Sequence, residues 1–181
     1  MKKAIAKLEP FDKESECVNV IVETPKGSRV KISYDSDAGL FILSKALPEG
    51  MAFPFNFGFI PGTLAEDGDP LDMLILNEEP LFPGCWLKVK PLAIIKATQT
   101  EGKEAVRNDR LIGEAIGKET PPELESLTLT KRTISQIEFF FHAYNKLYDK
   151  KFKVLGTAGP KQAWAAVKKS RELFNKKKEK G

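Results

Sequence analysis

The segment Asp67-Gly68-Asp69-Pro70-Leu71-Asp72-Met73-Leu74-Ile75-Leu76 joins an acidic loop to a short apolar run. The run from Leu71 to Leu76 has the length and character of a central β-strand. Three carboxylates within six residues repel one another unless a cation lies among them. Oxygen ligands of this kind suit Mg²⁺ or Mn²⁺ better than zinc. Because Pro70 favours an extended conformation at Asp69, the segment predicts a metal-binding loop that runs directly into a strand.

Further short strands are predicted on both sides of this segment. They are rich in β-branched or alternating apolar residues and are bounded by turn residues. The predicted strands are residues 17–23, 29–34, 40–43, 86–98 and 110–116. The second and third form a hairpin around the turn at 35–39, and Pro91 divides the fourth into two pieces joined at a bend or bulge.

The last third of the chain predicts two helices. Thr133-Ile134-Ser135-Gln136 fits a capping box, and apolar residues recur at helical spacing from Ile134 to Tyr148. Pro160 suits the first turn of a last helix with Ala163 and Val167 on its apolar face. Many short strands followed by helices indicate an α+β fold: a small closed, OB-like β-barrel with two C-terminal helices packed outside.

The composition fits a single domain over residues 1–181. Hydrophobic residues make up 41% and charged residues 30% of the chain, as in ordinary globular proteins. The apolar runs are too short to span a bilayer, and the apolar stretch near the start is too short for a secretory signal. Cys17 and Cys85 lack metal-ligand or redox spacing. We therefore expect a cytoplasmic protein with two reduced thiols and no membrane contact.

The basic charge is concentrated at the end of the chain. Net charge is +4, but residues 168–181 contain seven Lys or Arg against two Glu, an excess of five, so the rest carries about −1. Residues 175–181 therefore predict a basic, solvated tail. Binding of nucleic acid by a barrel and this tail is the alternative. It is disfavoured because no basic stripe with exposed aromatics accompanies the tail.

The acidic loop taken alone leaves two other interpretations. Asp67, Asp69 and Glu78 fall at positions 1, 3 and 12 of an EF-hand, but Leu71 and Asp72 at positions 5 and 6 do not fit that loop. The flanking segments also predict strands instead of helices. A plain acidic surface turn remains possible from these residues alone.

The neighbouring segments carry a more specific signal. Residues 67–73 match the signature of the soluble inorganic pyrophosphatases of the first family. Phe53-Pro54-Phe55-Asn56-Phe57-Gly58-Phe59-Ile60 resembles that family's Tyr-Pro-x-Asn-Tyr-Gly-Tyr-Ile stretch, and the resemblance runs from about Val18 to about Gly159. It implies hydrolysis of pyrophosphate to two orthophosphates by a metal-activated water. It also implies several bound Mg²⁺ ions, with Mn²⁺ as the alternative, and a homo-oligomer.

The resemblance further implies roles for nine residues. Asp69 resembles the general base. The residues that resemble metal-binding groups, directly or through water, are Glu23, Asp67, Asp69, Asp72 and Asn108. The residues that resemble phosphate-binding groups are Lys31, Lys45, Arg110 and Tyr144.

Several positions depart from the family pattern. Phe53 and Phe57 replace tyrosines, Ser33 replaces a Glu, and Asn108 replaces a metal-binding carboxylate. A different alignment of the loop at 99–110 would put Glu104 at that metal position and Gln99 at another. The alternative function is therefore a pyrophosphatase-like protein that binds phosphate or metal with little or no turnover.

Overall fold

The structure is a computed structural model that describes residues 2–12, 16–102, 104–116 and 128–180. Nine strands and three helices lie within these ranges. In chain order they are α1 (Lys2–Ile5), β1 (Val18–Thr24), β2 (Val30–Asp35), β3 (Leu40–Ala46), β4 (Asn56–Ile60), β5 (Leu71–Ile75), β6 (Trp86–Glu101), β7 (Glu104–Arg107), β8 (Arg110–Ala115), α2 (Lys131–Lys146), β9 (Lys151–Ala158) and α3 (Pro160–Lys180).

Five strands pair in a closed ring. The order is β1-β4-β5-β8-β6, and β6 pairs back onto β1. All of these pairs are antiparallel except β5 with β8. Strands β2 and β3 form the separate hairpin expected from the sequence. The predicted α+β fold with a small closed barrel is confirmed, and the run that begins at Leu71 lies at the centre of the sheet.

Two apolar clusters lie on opposite faces of the sheet. Leu71, Met73 and Ile75 of β5 belong to one cluster, which includes buried residues of α3. Leu74 belongs to the other cluster, which includes the buried side of α2. This alternation follows from the period of two along a strand, and it places both long helices against the barrel.

Strand β6 is one continuous strand with an irregularity at the predicted place, beside Pro91. It runs through Pro91, and its pairing with β8 shifts register between Pro91 and Ala93. Because proline has no N–H to donate, the shift accommodates it without ending the strand. The far end of β6 pairs with β7 and β9, two strands that the sequence analysis did not predict.

The capping box of α2 begins one turn earlier than predicted. The Thr130 hydroxyl accepts from the Thr133 N–H at 3.1 Å, and the Thr133 hydroxyl accepts from the Thr130 N–H at 3.4 Å. Thr133 is therefore the third helical residue and not the cap. The prediction was wrong because threonine here performs the reciprocal role that Glu or Gln usually has.

The chain's basic end is helical. Helix α3 begins at Pro160 as expected and continues to Lys180, with exposed side chains from Asn175 to Glu179; Gly181 lies outside the described residues. None of the described helices is long and apolar enough to cross a membrane. Cys17 is buried, Cys85 is half-buried, and both are free thiols.

Candidate active site

The acidic loop between β4 and β5 is held by its neighbours. The buried Thr63 hydroxyl donates to the Ile60 carbonyl at 2.6 Å and accepts from the Leu71 N–H at 3.0 Å. The Ala65 N–H donates to the Asp69 carbonyl at 2.7 Å. These bonds tie the loop to the ends of both strands, so its carboxylates are presented from a fixed backbone.

The loop forms one wall of a cleft of about 780 Å³. Each residue that the sequence analysis assigned to the site lines this cleft. These residues are Glu23, Lys31, Lys45, Asp67, Asp69, Asp72, Asn108, Arg110 and Tyr144. The fold therefore brings together side chains from the barrel, the β2–β3 hairpin and α2.

Burial raises the pKa of three carboxylates of the cleft, Glu23, Asp67 and Asp72, and neighbouring negative charges add to the rise. Burial raises the pKa of Glu23 to about 7, and the charges of Asp72 and Asp69 act in the same direction. Glu23 nevertheless accepts from the Tyr34 N–H at 2.6 Å, which favours its ionised form. Burial also raises the pKa of Asp67, to which the charge of Asp72 contributes. The cleft thus concentrates negative charge that a cation would stabilise.

This donor set fits a hard divalent cation. The acidic side chains at this wall are carboxylates, which Mg²⁺ and Mn²⁺ prefer over nitrogen or sulfur ligands. Within the described ranges, no three acidic, His or Cys side chains are close enough to form a ready-made ion cage. Mg²⁺ usually retains several waters and takes only one or two protein carboxylates together with phosphate oxygens. The open wall of carboxylates is consistent with this mode of Mg²⁺ coordination.

Arg110 lies against this wall. Its Nη1 is 2.6 Å from Oδ2 of Asp72 and also donates to Oδ1 of Asn108. Its guanidinium carbon lies 5.1 Å from the ring centre of Phe141 and 5.9 Å from that of Phe57. Burial raises the pKa of Asp72, and Arg110 opposes that rise. The guanidinium is thus a fixed positive charge beside the carboxylates.

The two predicted lysines come from directly opposite positions of the hairpin. Lys31 of β2 and Lys45 of β3 are register partners, so both side chains project from one face. The ammonium nitrogen of Lys45 lies 4.0 Å from the ring centre of Tyr148. Like charges placed opposite each other destabilise a hairpin. Their pairing at a cleft therefore favours a site for an anion.

Tyr144 brings a hydroxyl from α2 to the cleft. Burial raises its pKa to about 12, which keeps the group protonated and able to donate. Within the part of the chain that the structure describes, this buried hydroxyl has no hydrogen-bond partner. A buried donor without a partner is costly, so the arrangement suits a ligand oxygen.

The loop at 99–110 places an amide at the cleft. Asn108 and Gln99 line it, and Asn108 donates to Gln99 at 3.5 Å. Glu104, the alternative metal position, is exposed on β7. Phe53 packs 5.0 Å from Phe140 between ring centres. The positions that depart from the family pattern all line the cleft: Ser33, Phe53, Phe57 and Asn108.

Sequence reasoning missed some residues of the cleft. Tyr148, whose hydroxyl donates to the Ala46 carbonyl at 2.9 Å, lies four residues after Tyr144. That spacing was noted only as helix packing. Lys177 of α3 also lines the cleft, and its position depends on how α3 packs, which local pattern does not specify. The lone histidine, His142, is exposed.

The cleft contains carboxylates, which suit divalent cations, and positively charged side chains, which suit an anion that carries phosphate groups. The fold and site therefore define a protein suited to binding both kinds of ligand in one cleft. A family model described as inorganic pyrophosphatase matches residues 20–175. The chain belongs to the inorganic pyrophosphatase family.

Curated relatives and solved structures agree with this assignment. The inorganic pyrophosphatase of Sulfolobus acidocaldarius is 36% identical over 163 residues, covering 87% of this chain and 91% of that protein. The one from Nanoarchaeum equitans is 37% identical, with 88% and 98% covered. The crystal structure of inorganic pyrophosphatase from Thermus thermophilus matches with a TM-score of 0.81 and 31% identity, covering 94% of this chain and 98% of that chain.

The raised pKa of Glu23 predicts a pH-dependent cost to folding. The raised pKa keeps Glu23 protonated up to about pH 7 in the folded protein, whereas the ordinary pKa of a glutamate is 4.5. Stability therefore falls as pH rises between these values. Glu23→Gln removes that cost and keeps an acceptor for Tyr34. We expect the variant to be more stable than the parent by about 1–3 kcal/mol at pH 8 in EDTA, and equal to it at pH 4.

Thermal melts at the two pH values measure this difference. Glu49→Gln is the matched control, because its carboxylate is 89% exposed and should change stability little at either pH. A Glu23→Gln variant that is less stable than the parent at pH 8 would show that the carboxylate stabilises the metal-free fold.

Proposed function

We propose that this protein hydrolyses inorganic pyrophosphate to two orthophosphates with the help of bound Mg²⁺. The observation that carries the proposal is that the acidic loop, Lys31, Lys45 and Arg110 line one cleft, in a chain that belongs to this family. The named relatives are themselves inorganic pyrophosphatases. A site that contains both acids and cations suits a polyanionic substrate better than either charge alone.

The cations of the cleft bind the substrate. Pyrophosphate carries several negative charges, and the two hairpin lysines offer ammonium donors from one face. Tyr144 adds a protonated hydroxyl that has no hydrogen-bond partner among the described residues. Positive groups near the leaving phosphate stabilise the charge that develops on it.

Asp69 accepts the proton from the attacking water. Its side chain is exposed and lines the cleft. The hydrogen bonds found for Asp69 among the described residues use its backbone: its N–H donates to Oδ1 of Asp67 at 3.3 Å, and its carbonyl accepts from the Ala65 N–H. The water oxygen forms a bond to one phosphorus while the bond from that phosphorus to the bridging oxygen breaks. The carboxylate takes one water proton, and the second phosphate leaves with the bridging oxygen.

Glu23, Asp67, Asp69 and Asp72 would hold Mg²⁺ or Mn²⁺, and Asn108, whose oxygen accepts from Arg110 in this structure, is the neutral member of the predicted set. Bound cations of this kind neutralise phosphate charge and lower the pKa of water. The raised pKa values of Glu23, Asp67 and Asp72 support this assignment, since positive charge would relieve the repulsion among these groups.

A phosphate-release assay tests the proposal. The protein is incubated with pyrophosphate in Mg²⁺ and, as a control, in excess EDTA. We expect orthophosphate to accumulate in two-to-one proportion to the pyrophosphate consumed, and only in Mg²⁺. Calorimetric binding of pyrophosphate in Mg²⁺ without any release would instead establish the alternative, a binding protein with no turnover.

We further propose a homo-oligomer in the cytoplasm. Exposed large apolar side chains support self-association, among them Leu43 at 69%, Phe82 at 79% and Phe139 at 77%. The two free thiols agree with a reducing compartment. Light scattering coupled to gel filtration measures the assembly, and a single species of monomer mass at micromolar concentration would contradict it.

A further inference from the structure

Arg110 contacts two side chains that are expected to bind metal. Its Nη1 lies 2.6 Å from Oδ2 of Asp72 and donates to Oδ1 of Asn108. A positive charge therefore already lies between the oxygens of two expected metal ligands. The formal charges of these three side chains are −1, 0 and +1, which sum to zero.

The position of this charge is fixed by its surroundings. Arg110 is only 6% exposed, and its guanidinium lies near the rings of Phe141 and Phe57. Nη1 also donates to the Asp109 carbonyl at 3.2 Å. An arginine does not lose its proton in a protein, and an ion pair is stronger where water is excluded. The charge is therefore held beside Asp72 and Asn108 in the ligand-free protein.

We propose that the guanidinium of Arg110 takes the place of one divalent cation between Asp72 and Asn108, so that the free protein binds fewer Mg²⁺ ions than its acidic residues would otherwise allow. This inference rests on the proposed function. A dication placed there would meet a neutral group of three side chains and the like charge of the guanidinium. With an amide at 108 in place of a carboxylate, little attraction remains to offset that repulsion.

Arg110 also has one donor that the contacts to Asp72 and Asn108 do not use. Its buried Nε has no hydrogen-bond partner within the described part of the chain, while Nη1 serves Asp72 and Asn108. A guanidinium can bond two groups at once because its donors point in fixed directions. One residue therefore neutralises the ligand wall through Nη1 and leaves Nε as a buried donor without a partner among the described residues.

Calorimetric titration of the substrate-free protein with Mg²⁺ tests this proposal. We compare the parent with Arg110→Gln, which removes the charge and keeps a polar side chain. The variant should bind one more Mg²⁺ or bind it at least tenfold more tightly, because Asp72 is then unpaired. Unchanged or weaker Mg²⁺ binding by the folded variant would overturn the proposal.

Arg107→Gln is the matched control. Arg107 Nε is 2.5 Å from Oδ1 of Asp109, and neither residue lines the cleft. The same substitution there also releases a carboxylate from an arginine. We expect no added Mg²⁺ site, which separates the position of Arg110 from the general effect of freeing an acid; an equal gain in both variants would contradict the proposal.

Asn108→Asp keeps the proposal testable if Arg110→Gln does not fold, as judged by circular dichroism. With Arg110 still in place, the new carboxylate should raise Mg²⁺ affinity less than tenfold. A rise of tenfold or more would show that the position was open to metal. Because these titrations omit pyrophosphate, an active parent with unaltered Mg²⁺ binding in Arg110→Gln, or a rise of tenfold or more in Asn108→Asp, rejects only this inference. An inactive parent rejects the proposed function.

Discussion

Asp69→Asn should lower the turnover of pyrophosphate by about 10²–10⁴-fold, the usual contribution of a positioned general base. The amide has the size of the carboxylate but does not accept a proton from the attacking water at neutral pH. The fold should remain intact, because the Asp69 carbonyl that bonds to Ala65 is unaffected. Removing one of the charges that raise the pKa of Glu23 also relieves repulsion in the cleft.

Steady-state phosphate release at saturating Mg²⁺ measures this effect, and thermal melting checks the fold. Asp149→Asn is the matched control: it makes the same chemical change outside the cleft lining, at a backbone φ of 55° that asparagine tolerates. We expect the control to retain parent activity. Turnover of the Asp69→Asn variant within threefold of the parent would remove Asp69 from the role of base.

Local pattern predicted most of the barrel strands. Residues 71–76 and 110–116 are short apolar runs bounded by polar residues, and both became adjacent strands of the sheet. Strand β9, residues 151–158, was missed because its alternation is brief: Phe152 is buried between exposed Lys151 and Lys153, but Gly156 interrupts the apolar pattern. Only pairing with β6 makes that segment a strand, and pairing between distant segments is not visible in a local pattern.

The candidate site was predictable as a set of residues but not as an arrangement. The acidic signature and the neighbouring motifs indicated which side chains share the cleft, because their resemblance to the family assigned a role to each of these residues. The contacts of Arg110 were not predictable, because they depend on how β8 lies beside β5. There Asp72 is the register partner of Arg110, which places the two side chains on neighbouring strands and allows their ion pair.

The aromatic stretch at 53–60 contains a residue, Asn56, whose structural role the resemblance to the family motif did not indicate. Asn56 is fully buried, and its amide donates to Asn77 at 2.6 Å and to the Glu79 carbonyl at 2.9 Å. Its oxygen accepts from the N–H groups of Lys26 and Leu81. The role of Asn56 is therefore explained by four hydrogen bonds to loops, and Asn56 is not among the residues that line the cleft.

Gly58 is the position in this stretch where the backbone is most closely approached. A Cβ atom at Gly58 would lie 2.2 Å from the Ile21 carbonyl oxygen and 2.9 Å from its carbon. Gly58 pairs with Val22 of β1 and with Met73 of β5, so both sides of the strand are fixed by ladders. Any side chain here must push β1 away from β4, which opens the ring of the barrel.

We expect Gly58→Ala to destabilise the protein by at least about 3 kcal/mol, at the upper end of the usual cost of overpacking because backbone atoms cannot rotate away. That loss corresponds to a fall in melting temperature of about 6–12 °C for a chain of this size. Gly159→Ala is the control, since a Cβ there meets nothing within 4 Å and the change before α3 should cost no more than about 1 kcal/mol. Thermal and urea unfolding compare the two variants. Equal stabilities would mean that β1 and β4 separate at little cost, and the closed ring would then lose its role in holding Glu23 on β1 against the acidic loop that follows β4.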